Sequence, residues 1–256
     1  MNNRATVVCC YNNPSLFEDM RDSLLRQTEV VEVIGIDNTG RRYKSCSSAF
    51  NSALPKVTTE FVIFSHQDIL LEDKDCIHQF LDYCCRIGKH DLLGVVGKIH
   101  GDKHCTGNVV NALGEAAAAQ RLKGIVECDS FDECFFGGRT CCFKRYPFSE
   151  TLCPGWHLYA VERCVAAKSR GDKSYICDVN MIHLSFGKTD HSYNKTFYDI
   201  SRFYAGKVKH ITSTCEDAPT NFPGREYAYL QRERYVLKRD FKNLLRTLFK
   251  ARKTSP

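Results

Sequence analysis

The chain has 256 residues, 43% of them hydrophobic, enough for one large domain or a domain with an appendage. No apolar run approaches the roughly 20 residues that a bilayer-spanning helix needs, and residues 1–10 hold no signal-peptide core, so a cytoplasmic protein is expected. The fifteen cysteines include three adjacent pairs (Cys9-Cys10, Cys84-Cys85, Cys141-Cys142) and no C-x-x-C, which argues for reduced thiols and against a structural zinc site. The net charge of +6 is uneven: residues 225–253 carry ten Lys/Arg against Glu226, Glu233 and Asp240, and the remainder sums to −1.

In chain order, residues 5–10 form a short apolar strand that stops at Tyr11-Asn12-Asn13-Pro14, where proline ends ladder pairing. Ser15 is the expected N-cap of a helix to about Gln27, with Leu16, Met20 and Leu24 on one face. A second strand, 30–36, ends in Asp37-Asn38-Thr39-Gly40, and residues 45–53 suit another helix. The run 61–64 is β-branched and aromatic and reads as a buried strand, stopping abruptly at His66, Gln67 and Asp68. A helix over 73–86 and a strand over 92–97 continue the alternation. Residues 100–124 hold four glycines around an alanine run, 116–119, that favours helix. The pattern then predicts a strand region over 125–136, a helix to about Ser169 stopped by Gly171, and a strand over 175–179.

Strand, helix, strand, helix, strand is the pattern of a parallel sheet with right-handed crossovers. Ligands of open α/β sheets collect beyond the carboxyl ends of the strands, and here those ends carry Tyr11 and Asn12, then Asp37, then His66 and Asp68. Asp68 and Asp37 equally fit simple turn caps. Neither G-x-G-x-x-G nor G-x-x-x-x-G-K-[ST] follows the first strand, which excludes a dinucleotide fold or a P-loop. A nucleotide diphosphate held without such a loop calls for a metal to neutralise it.

The order V-V-C-C-Y-N-N, E-V-I-G-I-D-N, A-F-N-S-A, F-S-H-Q-D-I, G-W-H-L-Y-A-V-E-R-C and I-H-L-S-F-G resembles the glycosyltransferase family 2-like group. The likeness covers roughly residues 5–190. It implies a GT-A (Rossmann-like) fold over 1–190, a mostly parallel sheet flanked by helices, with 191–256 as a C-terminal helical extension. It also implies a transferase moving a sugar, with inversion, from a nucleotide-diphosphate donor, a UDP-sugar first, to a saccharide or lipid-linked acceptor. Tyr11 and Asn12 would flank the base and Asp37 would accept from its imide, with Ala49 and Asn51 near the nucleoside or diphosphate. His66-Gln67-Asp68 falls where such enzymes carry D-x-D. Asp68 would then hold a divalent cation, His66 would reach the ribose, and His183 is a candidate second ligand, although it equally fits a hydrogen-bonded core histidine. One carboxylate with one imidazole suits Mn2+ better than Mg2+.

One departure stands out. Inverting members place an acidic pair after this tryptophan, one of the two being the general base, and here the positions hold Tyr159 and Ala160. Asp132 and Glu162 are the candidate bases, and His157 is a candidate contact for donor sugar or acceptor. The alternative is a non-catalytic module that binds a nucleotide sugar or glycan. A nucleotidyltransferase is disfavoured because no basic glycine-rich loop follows the first strand.

Residues 194–204 suit a short helix. From Glu226 a long helix is expected, with an apolar stripe of Leu230, Leu237, Phe241, Leu244, Leu245 and Leu248 against Lys238, Arg239, Lys242, Arg246 and Lys250. It fits a helix packed on the body with a solvated basic face, or peripheral contact with an anionic membrane at its inner face. Nucleic acid is not an expected partner, because no other basic patch is interleaved with aromatics.

Overall fold

The computed structural model describes residues 4–116, 118–185 and 189–253. Its first half alternates as the sequence predicts: strand β1 (Ala5–Tyr11), helix α1 (Pro14–Leu25), β2 (Val31–Asp37), α2 (Cys46–Ala53), β3 (Phe61–Ser65), β4 (Ile69–Leu71) and α3 (Cys76–Arg86). There follow β5 (Leu92–Gly94), β6 (Val96–Lys98), β7 (Thr106–Gly107), β8 (Val109–Asn111), β9 (Ile125–Cys128), β10 (Ser130–Phe131) and β11 (Phe135–Arg139). The last part holds α4 (Thr140–Arg145), α5 (Tyr159–Arg170), β12 (Ser174–Cys177), β13 (Met181–His183), α6 (His191–Phe203), β14 (His210–Thr212), β15 (Asp217–Pro219) and α7 (Gly224–Lys253).

The main sheet has seven strands in the order β2-β1-β3-β11-β5-β12-β9. Parallel pairing joins β1 to β2, β1 to β3 and β5 to β12, while β11 and β9 run against their neighbours. The sheet is therefore mostly parallel. Because β2 and β3 flank β1 on opposite sides, the crossovers diverge at β1, and the crevice beyond its carboxyl end is the place for a ligand. Side chains of β1 alternate strictly between two apolar cores. Val8 joins Phe50, Phe64, Phe136 and the buried face of α5, whereas Val7 and Cys9 join Met20, Phe80 and Phe135 on the α1/α3 side.

Several boundaries differ from expectation for identifiable reasons. Asn13, not Ser15, caps α1: its side chain accepts from the Ser15 and Leu16 amides, and Pro14 occupies the first helical turn, where no amide is needed. Ser45 caps α2 by accepting from the Ser48 amide. The run 92–97 is two strands in two sheets, since β6 leaves the main sheet to pair with β7 and β10. Gly94 lies so close under Phe131 that a Cβ there would fall 2.5 Å from the ring. The region 125–136 likewise breaks into β9, β10 and the start of β11. No helix forms over the described residues of 116–119; Ala116 and Gln120 instead make isolated bridges, within a stretch turned by Gly114 and Gly124 at positive φ.

The extension packs as an antechamber on the α5 side. α7, about 45 Å long at 1.5 Å per residue, lies on α6 and the β14–β15 hairpin through Val236, which is fully buried, and Arg232, which pairs with Glu216 at 2.7 Å over the Phe197 ring. Leu245, Leu248 and Lys250 belong to side chains outside those described.

Candidate functional site

A cleft of about 300 Å³ opens at the carboxyl ends of β1, β2 and β3. Tyr11 and Asn12 line it; Tyr11 is in register with Asp37, which lies outside the lining, and the Tyr11 ring stacks on Phe17 at 4.2 Å. Asp37 is exposed, and its Oδ1 accepts from the Thr39 amide and hydroxyl, both at 2.8 Å, which hold its carboxyl below the usual range. Gln67 ties this edge to β3. Its Oε1 accepts from the Asn12 and Asn13 amides and its Nε2 donates to Asn12 Oδ1, all at 2.9 Å.

An imidazole–carboxylate group adjoins the cleft: His66 and Asp68 line it, and His183 stands beside Asp68. β13 pairs antiparallel with β4, placing His183 opposite Ile69, and the Leu184 amide donates to the Asp68 carbonyl. One ligand-type atom each of His66, Asp68 and His183 lies within 4.8 Å of the others. His183 Nε2 is 3.5 Å from Asp68 Oδ1, and Ser185 Oγ is 3.5 Å from the same nitrogen. Burial opposes the Asp68 charge, yet hydrogen bonds from His183 and Ser185, with the two imidazoles, hold its carboxyl well below the ordinary range. Burial likewise opposes charge on His183, but Asp68, with Asp132 behind it, raises its pKa overall. His66 is pushed the other way by burial and by the neighbouring His183 charge.

Asp132 and Glu133 sit on the loop entering β11, whose Cys134 carbonyl accepts from the His66 amide at 2.8 Å. They face a small side pocket of about 80 Å³ that His157, Tyr193 and Thr214 also line. Asp132 Oδ1 accepts from the Cys134 amide at 3.0 Å and Oδ2 from the Thr214 hydroxyl at 3.2 Å. Glu133 is pushed well above the usual carboxylate range by burial and by Asp132, against the pull of the Leu158 and Tyr159 amides. Those amides reach it because Leu158 adopts a left-handed backbone, φ 68°, at the entry to α5. His157 meets Tyr193 edge-on at 5.9 Å.

Two sequence candidates have other partners. Asn51 donates to the Phe148 carbonyl and Glu150 and accepts from the Phe148 amide, all at 2.9 Å, beyond the lining of the cleft, and Ala49 is core. Glu162 is 4% exposed and accepts the Tyr204 hydroxyl at 2.6 Å, on the face of α5 turned to α6. Sequence reasoning also passed over residues that the cleft uses. Tyr159, noted there only as a departure, bonds His66 Nε2 at 3.0 Å; Gln67 is the clasp; Trp156, 41% exposed, forms the rim. The signal for Tyr159 was its position, since it stands where the resemblance expects an acid, as does His66.

Comparison with known proteins places this arrangement. The profile described as "Glycosyltransferase like family" matches residues 6–206. A Fuscovulum blasticum protein named ATP synthase subunits region ORF 6 is 22% identical over 193 residues, 71% of this chain and 76% of that protein. The mannosyltransferase PcManGT from Pyrobaculum calidifontis, solved in complex with GDP-Man and Mn2+, superposes with a TM-score of 0.55 at 14% identity, covering 82% of this chain. S. aureus TarS 1-349 in complex with UDP-GlcNAc gives a TM-score of 0.54 at 13% identity, covering 77%. This chain spans 65% of the length of each of those two solved chains. At such identities the likeness establishes the GT-A fold.

Proposed function

Since the chain belongs to the glycosyltransferase-like family, we propose that it transfers a sugar from a nucleotide-diphosphate donor, a UDP-sugar first, to a saccharide or lipid-linked acceptor with inversion. The observation that carries the reading is the meeting of His183 with Asp68, a residue that lines the same cleft as Tyr11, Asn12 and His66. Tyr11 and Asn12 would flank the base, and Asp37, its carboxylate kept ionised, would accept from the base imide. His66 would stand at the ribose.

The donor atoms of this group fit a divalent cation. They are hard or borderline, and one from each of His66, Asp68 and His183 lies within 4.8 Å of the others. Asp68 and His183 would hold Mn2+ or Mg2+, whose charge stabilises the departing diphosphate. Asp132 is the base in this reading. Its carboxylate, steadied by the Cys134 amide and the Thr214 hydroxyl, takes the acceptor hydroxyl proton as the oxygen attacks the anomeric carbon and the diphosphate leaves on the opposite face. His157, lining the same side pocket, would contact the donor sugar or acceptor. The exposed stripe and basic flank of α7 would bring the cleft to an anionic membrane carrying lipid-linked acceptors.

A second reading, a nucleotide-sugar or glycan-binding module without turnover, is favoured by one observation: Tyr159 and Ala160 occupy the place of the acidic pair. A thermal-shift screen of UDP-, GDP-, CMP- and TDP-sugars with and without Mn2+, followed by transfer assays, separates the two. Asp68→Ala is expected to abolish both the shift and transfer. Asp132→Asn is expected to keep the shift and lower kcat by roughly 10²–10⁴-fold, the usual contribution of a general base. Transfer unaffected by Asp68→Ala sinks the mechanism; donor binding with no transfer by the wild type selects the module.

A further inference from the structure

The two places where the chain departs from its family's pattern touch each other. His66 stands for the first aspartate of D-x-D, Tyr159 stands in the acidic pair, and Tyr159 Oη lies 3.0 Å from His66 Nε2. We infer that Tyr159 is a positioning residue that presents His66 as a third protein ligand of the cation, giving a two-imidazole, one-carboxylate set that prefers Mn2+ to Mg2+. This rests on the metal-dependent reading above and changes the role of His66 within it, from a ribose contact to a ligand.

The geometry supplies the reasons. Tyr159 is 1% exposed, and its ring is wedged against Phe50, Phe136 and Phe148, at 5.6, 6.1 and 6.1 Å between centroids, so its hydroxyl is a fixed point rather than a swinging one. An imidazole that gives one nitrogen to such a partner has its ring orientation set and its other nitrogen free for a metal, the usual outer support of a ligating histidine. With Nε2 engaged by Tyr159, Nδ1 is the nitrogen left for the group formed with Asp68 and His183. The His66 and His183 rings stand 5.5 Å apart, tilted by 57°, as two imidazoles converging on one ion would. Mg2+ favours an all-oxygen shell and sheds water reluctantly, whereas imidazole nitrogen suits the transition ions. An acid at either position would reverse this preference, and neither is present.

The test uses the full chain and Mn2+ alone. Electron paramagnetic resonance of the bound ion is expected to show couplings to two imidazole nitrogens, and loss of the free-ion signal gives the affinity. Tyr159→Phe is expected to weaken Mn2+ binding by about 10–100-fold while Mg2+ binding, read by competition, changes less. His66→Ala is expected to leave one nitrogen coupling, and His66→Asp to shift the balance toward Mg2+. A single nitrogen in the wild type, or Mn2+ affinity unaltered in both Tyr159→Phe and His66→Ala, overturns the inference. If Tyr159→Phe does not fold, the nitrogen count in the wild type and His66→Ala still decides it. The two readings fail separately. Sugar transfer with one coupled nitrogen defeats the ligand role alone, and two nitrogens without response to any nucleotide sugar defeats the transferase alone.

Discussion

Glu162 combines a raised carboxyl pKa with a buried hydrogen bond to Tyr204. Its carboxyl is pushed above the ordinary glutamate range because burial outweighs the Tyr204 hydrogen bond and the charges of Arg163 and Arg170. The folded state therefore holds that proton more tightly than the unfolded chain, so stability falls as pH rises from the ordinary glutamate value toward the raised one; below it both states are protonated and the slope vanishes. Glu162→Gln is expected to match the wild type near about pH 4 and to gain on it progressively as pH is raised through that window. Urea midpoints across the range check this, and parallel curves for the two proteins would refute it. From sequence alone Glu162 and Asp132 were equal candidates. In the structure they part: Glu162 faces Tyr204 from α5, whereas Asp132 sits on the loop into β11, an arrangement set by segments remote in the chain. Asp68, by contrast, was legible as a carboxylate at the end of a buried strand. That His183 joins Asp68 was suggested only by the family resemblance, since the contact depends on β13 pairing with β4 across more than a hundred residues.

At the scale of elements, the alternating first half was readable because each strand is an unbroken apolar run closed by a turn signal. The middle was not. β5 and β6 are nearly continuous in sequence but belong to different sheets, and close glycine packing, invisible in a hydrophobicity pattern, decides the break. α7 was readable in full, and the structure adds which face is free. Leu230, Leu237, Phe241 and Leu244, each more than half exposed, follow one another at spacings of seven, four and three along a single face, beside the exposed Arg234, Lys238 and Lys242. Among the described residues no helix is long and apolar enough to cross a membrane. Leu237→Glu with Phe241→Glu is expected to release the chain from vesicles containing anionic lipid. The melting temperature should hold, because neither side chain is buried. Neutralising Lys238 and Lys242 to Gln should weaken binding by about 1 kcal/mol per residue. Sedimentation with anionic and neutral vesicles reads both effects; equal binding to neutral vesicles would argue against the charge contribution.

For the whole molecule, all fifteen cysteines are free thiols, ten of them buried, and Cys85, Cys141 and Cys215 are exposed. Burial raises the pKa of the enclosed ones, Cys164 for instance to about 12, which makes them poor nucleophiles. A thiol reagent is expected to label three groups promptly in the folded protein and the buried ten only on unfolding. Prompt loss of more than five would mean that the sheet opens readily.

The alternation of β1 between two apolar cores has a consequence for how the protein tolerates change. The seven-stranded sheet acts as a bulkhead: Val7 and Val8 are neighbours in the chain, yet each seals a different compartment. Damage on the α1/α3 side and damage on the α5 side share few contacts, so their costs should sum with little interaction. The compartment beneath α5 carries Tyr159 and the aromatic wedge around it, and the opposite one carries Ile69, Met181 and Phe17, which back Asp68, His183 and Tyr11, so drift in either compartment reaches a different wall of the cleft.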